Sequence, residues 1–144
     1  MKKIFILAAV LFAGVCLVSC SKDGGSNGDN EKMVGMWVCE DDIDWGYLEL
    51  WKFRADGTVE VLENGGCDGD VYMKDGYIYG CDVNDFKANA TEGDYLLEDG
   101  ELYLGAKEVD SWVFLARISF DGPDKFMAEG NALDGVYLKV KGFK

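Results

Sequence analysis

The 144-residue chain contains no histidine. That absence removes the Ser-His-Asp and Cys-His nucleophile systems, zinc sites built on imidazole, and histidine switching near neutral pH. Positive charge is scarce as well: 14 lysines and arginines stand against 27 aspartates and glutamates, a net charge of -13. Such a surface repels nucleic acid and anionic lipid; a solvated acidic face is its ordinary explanation, with cationic partners or divalent cations as the alternative. Carboxylates are abundant enough that neighbouring pairs arise by chance, and no glycosidase-like pair can be assigned from their presence. No catalytic residue, no metal ligand set and no cofactor is therefore expected, and the chain is read as a non-enzyme.

A long apolar run is also missing. Residues 4–18, IFILAAVLFAGVCLV, are uncharged but number about 15, short of the roughly 20 that span a bilayer core as a helix. With Lys2 and Lys3 before the run and Ser19 after it, the segment reads as a secretory signal peptide. Leu17, Val18, Ser19 and Cys20 resemble the bacterial lipobox, which implies cleavage after Ser19 and acylation of Cys20. Several acyl chains make a stable anchor, at about 0.8 kcal/mol per buried methylene. The alternative is an ordinary signal peptide followed by a chance cysteine. Cleavage takes away Lys2 and Lys3 and no acid, moving the net charge from -13 to -15. Residues 21–30, SKDGGSNGDN, hold no apolar side chain and are expected to be flexible coil. Lys22-Asp23 resembles the export signal of surface lipoproteins in Bacteroidetes-type bacteria, with one acid where several are usual; a tether facing the periplasm is the alternative. The expected division is a signal peptide over 1–19, a tether over 20–32 and one domain over 33–144. The expected location is the outer membrane, at its periplasmic face or the cell surface, with the membrane itself a partner through acylated Cys20.

Cys39, Cys67 and Cys81 remain, an odd number for an oxidising compartment. Cys67 and Cys81 bracket VYMKDGYIYG, two short strands about Asp75-Gly76, which brings them close across a hairpin. They are expected to form a disulfide, leaving Cys39 a buried thiol. A metal site from Cys67, Asp68, Asp70 and Cys81 is the alternative, without the paired spacing of known thiolate sites.

Helical periodicity is absent beyond a turn, although residues 84–92 could hold one. Asp-Gly occurs at Asp56, Asp75, Asp99, Asp121 and Asp134, and this dipeptide between alternating apolar runs signals hairpins. Strands are expected near 34–40, 47–54, 58–63, 70–73, 77–81, 94–98, 101–105, 111–120, 124–129 and 135–141. The fold class follows: all-β, an antiparallel up-and-down meander of about 8–10 short strands, closed into a barrel that removes its edges. A β-sandwich is the competing architecture. In YLELWKFR the period of two sets Tyr47, Glu49, Trp51 and Phe53 on one face, expected inside, and Leu48 and Leu50 on the other. WVFLARISF is apolar on both faces at its start, which asks for a cover.

Gly35-Met36-Trp37 is similar to the Gly-x-Trp that opens the first strand of lipocalins. FRADGTVEV and GDYLLEDGELYLG resemble hairpins of small lipocalin-like lipoproteins. The resemblance implies a lipocalin-like β-barrel holding a small apolar or amphipathic ligand, with Gly35 and Trp37 at its base and Arg117 packed over Trp37. The crossed disulfide of that family has no counterpart here. Tyr47, Glu49, Trp51 and Tyr79 are the expected ligand-lining residues, with core packing as the alternative for each aromatic. The other functional reading is a surface module that meets glycan or protein through the acidic loop EDDIDWGY, with Trp45 and Tyr47 stacking and Asp41, Asp42 and Asp44 accepting hydroxyls or calcium.

Overall fold

The computed structural model describes residues 27–64, 67 and 69–144. The signal segment, Cys20 and Lys22-Asp23 lie outside the described residues. The chain order is helix α1 (Asn27–Met33), β1 (Gly35–Cys39), α2 (Glu40–Trp45), β2 (Glu49–Phe53), β3 (Thr58–Asn64), β4 (Tyr72–Lys74), β5 (Tyr77–Tyr79), β6 (Phe86–Glu98), β7 (Glu101–Ala106), β8 (Ser111–Phe120), β9 (Lys125–Gly130), β10 (Gly135–Val140) and β11 (Gly142–Phe143). Single 3-10 turns at Val83–Asp85 and Lys107–Val109 precede β6 and β8.

The Asp-Gly pairs act as the sequence suggests. Asp75-Gly76 and Asp99-Gly100 join β4 to β5 and β6 to β7 with both residues at positive φ, 55° and 86° in the first and 51° and 76° in the second. A two-residue hairpin loop that follows strand twist needs that pair of conformations. Eight strands close in the order β1-β2-β3-β6-β7-β8-β9-β10, each antiparallel to its neighbours, with β10 returning to β1. This is an up-and-down barrel with β4 and β5 looped out of it.

The interior is filled by its own side chains. Trp37, Phe53, Phe126 and Tyr137 are at most 2% exposed. Phe126 stacks on Tyr137 at 4.9 Å and meets Trp37 edge-on at 4.7 Å. Val59, Val61, Tyr95, Leu97, Leu102, Leu104 and Leu115 complete the same cluster.

A second core lies on the outer side of β1, β2 and β10. Val38, Leu48, Leu50 and Val140 face outward there and are covered by a three-stranded sheet, β11-β5-β4, through Ile78, Met73 and Phe143. Thus the start of β2 is buried on both sides, with Trp51 and Phe53 inside the barrel and Leu50 and the preceding Leu48 under this annex, while Lys52 on the outer face is exposed. The disulfide Cys67–Cys81, with Cα atoms 5.4 Å apart, ties the chain entering β4 to the chain leaving β5.

Three local readings change in the structure. Residues 27–30, expected as coil, belong to α1, because Met33 is buried at the barrel end and Asn30 Oδ1 accepts the Leu97 amide at 2.8 Å. Residues 86–92 are strand instead of helix, since pairing with β3 satisfies their backbone. Between Glu60–Glu92 and Leu62–Ala88, one residue of β3 stands against three of β6. Finally, the double-faced apolarity of WVFLARISF reflects a bulge: Leu102 pairs with Ala116 but Tyr103 with Phe114, so Leu115 and Ala116 both turn inward.

A candidate binding cleft

The four residues expected to line a ligand site do not share one cavity. Trp51 is in the filled interior, and its Nε1 donates to Glu49 Oε1 at 2.8 Å. Tyr47 precedes β2 and is 57% exposed. Tyr79 belongs to β5 of the annex, stacked on Tyr72 at 4.8 Å. Only Glu49 and Trp51 meet, and what they form is an internal hydrogen bond at one end of the barrel.

The base of the barrel also differs from expectation. Trp37 is fully buried, with its Nε1 donating to the Met33 carbonyl at 2.8 Å. Arg117 does not cover it: lying between inward Ala116 and Ile118, it points outward and pairs with Glu101 at 3.7 Å. The cation over Trp37 is Lys139, its cross-strand partner on β10, with Nζ 5.2 Å from the ring. Gly35 makes room for it, since a Cβ there would stand 2.6 Å from Lys139 Cε and its φ is +138°.

Two polar groups are sealed near the opposite end. Cys39 is a buried thiol whose pKa is pushed up chiefly by burial, which makes it a poor nucleophile. The Tyr137 hydroxyl is buried without a hydrogen-bond partner among the described residues, and burial likewise raises its pKa. Among the described residues no group of three or more Cys, Asp or Glu side chains is arranged to hold a metal ion, and no helix is long and apolar enough to cross a membrane.

Among the described residues an open cleft of about 760 Å³ lies where the β2–β3 turn, the middle of β6, the end of β7 and the 3-10 turn Lys107–Val109 meet. Its floor is apolar: Val59, Leu104, Ala106 and Val109. Val109 is 72% exposed, an apolar group left facing water. Two glycines let the backbones converge. A Cβ on Gly93 would stand 3.2 Å from the Gly105 carbonyl, and one on Gly105 would overlap the Ser111 carbonyl.

The rim is acidic, with Asp56, Glu92, Asp94 and Glu108 around a single guanidinium, Arg54. Arg54 is engaged already, paired with Glu60 and donating to Thr58 Oγ1 at 3.3 Å. Asp56 Oδ1 accepts from the Thr58 amide at 2.9 Å and its hydroxyl at 2.6 Å, which holds the Asp56 carboxyl below its usual range. Asp94 Oδ2 accepts the Lys107 amide at 2.7 Å, fixing the 3-10 turn against β6.

Sequence reasoning missed this cleft, yet the signal was present. Arg54, Asp56, Thr58 and Val59 belong to FRADGTVEV, and Gly93, Asp94, Leu104 and Gly105 to GDYLLEDGELYLG, the two segments singled out as motifs. What could not be read was that the two hairpins adjoin, since that depends on β3 pairing with β6 across a looped-out annex. Comparison with protein-family models, with curated proteins and with solved structures finds no match to this chain.

Proposed function

We propose that this chain is a membrane-tethered, non-catalytic binding protein whose lipocalin-like barrel takes a small amphipathic ligand in the cleft between β3, β6 and β7. The observation that carries the reading is a cleft of about 760 Å³ whose apolar lining runs from exposed Val109 and half-buried Ala106 down to Val59 and Leu104 at the edge of the filled interior. Ligand sites of roughly 300–1,000 Å³ with apolar linings and a few polar groups are the common kind. The ligand is therefore met at the edge of the barrel, over Val59 and Leu104, and not deep within the filled interior.

The lipobox supports an outer-membrane anchor on Cys20. The tether joins the domain through α1, whose Asn30 carbonyl and side chain meet Tyr95 and Leu97 on β6, next to Gly93 and Asp94 of the cleft. An anchored chain thus holds the cleft near the bilayer surface, where amphipathic molecules concentrate.

Titration with an uncharged, polarity-sensitive naphthylamine dye tests the reading. The wild type is expected to enhance its fluorescence saturably, and Ala106→Trp, which fills the floor, to abolish that enhancement at an unchanged melting temperature. Equal enhancement by both proteins places the dye elsewhere and ends the model.

A second reading rests on a different surface. Tyr72 and Tyr79 stack with ring planes 1° apart on the outer face of the annex, and Trp45 is 84% exposed. Flat aromatic surface of this kind suits a sugar face or a protein partner. Retention on immobilised glycans that is lost in Tyr72→Ala favours it.

A further inference from the structure

The charges around the cleft go further than its shape. Resting on the binding reading above, we infer that the ligand is a single-chain cationic amphiphile, an alkyl body carrying an amine or quaternary ammonium head. The alkyl body would lie on Val59, Leu104, Ala106 and Val109, and the head among the rim carboxylates.

Arg54 is the one cation lining the cleft, and Glu60 and Thr58 occupy it. An anionic head would find no uncommitted donor charge there. Two of the four carboxylates are held by internal bonds, Asp56 by Thr58 and Asp94 by the Lys107 amide. Glu92 and Glu108 are exposed and have no ion-pair partner among the described residues. Glu92, on β6, stands directly opposite Glu60 of β3, whose charge Arg54 already neutralises. A bound ammonium would meet the charges of Glu92 and Glu108, unpaired among the described residues, and an apolar body filling the cleft would displace water from around them and strengthen their attraction for it. The whole-chain charge of -13 adds long-range attraction for the same ligands.

Calorimetry on the purified full chain distinguishes the head groups with three probes of one chain length, decyltrimethylammonium, decyl maltoside and decyl sulfate, each below its micelle concentration. The ammonium probe is expected to bind about tenfold more tightly than the maltoside, equivalent to ~1.4 kcal/mol. That advantage should fall to roughly twofold in Glu92→Gln/Glu108→Gln and on raising salt from about 20 to about 500 mM. Both substituted positions are exposed, so the double variant should melt as the wild type does. If maltoside or sulfate binds as tightly as the ammonium, the cationic class is wrong while the cleft reading stands. An ammonium advantage undiminished in the double variant puts the head elsewhere and overturns the inference. If none of the three binds and the uncharged dye also fails, the binding reading falls with it.

Discussion

Residue by residue, the base of the barrel shows how register sets contacts that a motif alone does not. Lys139 reaches Trp37 because the two are directly paired across β1 and β10, whereas Arg117 is turned outward by its neighbours. Lys139→Ala is expected to cost about 1 kcal/mol, from the lost cation–π contact and the uncovered indole. Arg117→Ala should change stability by less than about 0.5 kcal/mol, since its pair with Glu101 is solvent-screened. Urea midpoints of the two variants separate the assignments, and the reverse order would restore Arg117 to the base. Gly35 and Trp37 were legible as a pair from the sequence because they are three letters of one strand. Their cationic cover was not, because it comes from a residue about a hundred positions away.

At the same scale, tyrosines make the fold sensitive to alkali. Burial lifts Tyr95 to about 12, and the hydrogen bond that Tyr103 donates to Glu101 lifts that phenol to about 12 as well. Both are raised above an unfolded value near 10, so the folded state favours the protonated phenols. Their contribution is whole below about pH 10 and is lost as pH rises towards 12. Urea midpoints should therefore fall across that window, and Tyr95→Phe should flatten the fall. A midpoint independent of pH there contradicts the burial of Tyr95.

Among the elements, the annex is the departure from a plain meander. It is small, with two three-residue strands and the two-residue β11 held parallel to β5. Asn64 joins it to the barrel: buried, its Oδ1 accepts the Leu48 amide at 3.0 Å while its Nδ2 lies 2.8 Å from Cys67 Sγ. The disulfide spans a sequence separation of 14, and a loop of that size is worth about 3 kcal/mol in the chain-entropy account. Cys67→Ala/Cys81→Ala should lose about that much stability, with amide exchange rising first in Tyr72–Lys74 and Tyr77–Tyr79. Equal loss of protection in the barrel strands would show that annex and barrel unfold as one unit. The hairpin around Asp75-Gly76 was legible from its turn chemistry. That it leaves the barrel and covers Leu48 and Leu50 was not, since an apolar outward face reads the same whether a loop, a sheet or a partner lies over it.

For the whole molecule, anchor and cleft belong to one proposal. Cys20→Ala is expected to move the chain from the membrane to the soluble fraction, and persistence in the membrane would sink the anchor. The sequence by itself determined the all-β class and the hairpins at its Asp-Gly turns, because turn residues with positive φ and alternating apolar runs act over neighbouring positions. It also determined which chemistries lack their residues, since no fold supplies a histidine. Only the tertiary structure decided that the interior is filled, that Lys139 covers Trp37, and that two distant hairpins open a cleft with an acidic rim. Those features depend on register and on the bulges at β6 and β8, where a shift of one residue exchanges the inner and outer faces of a strand.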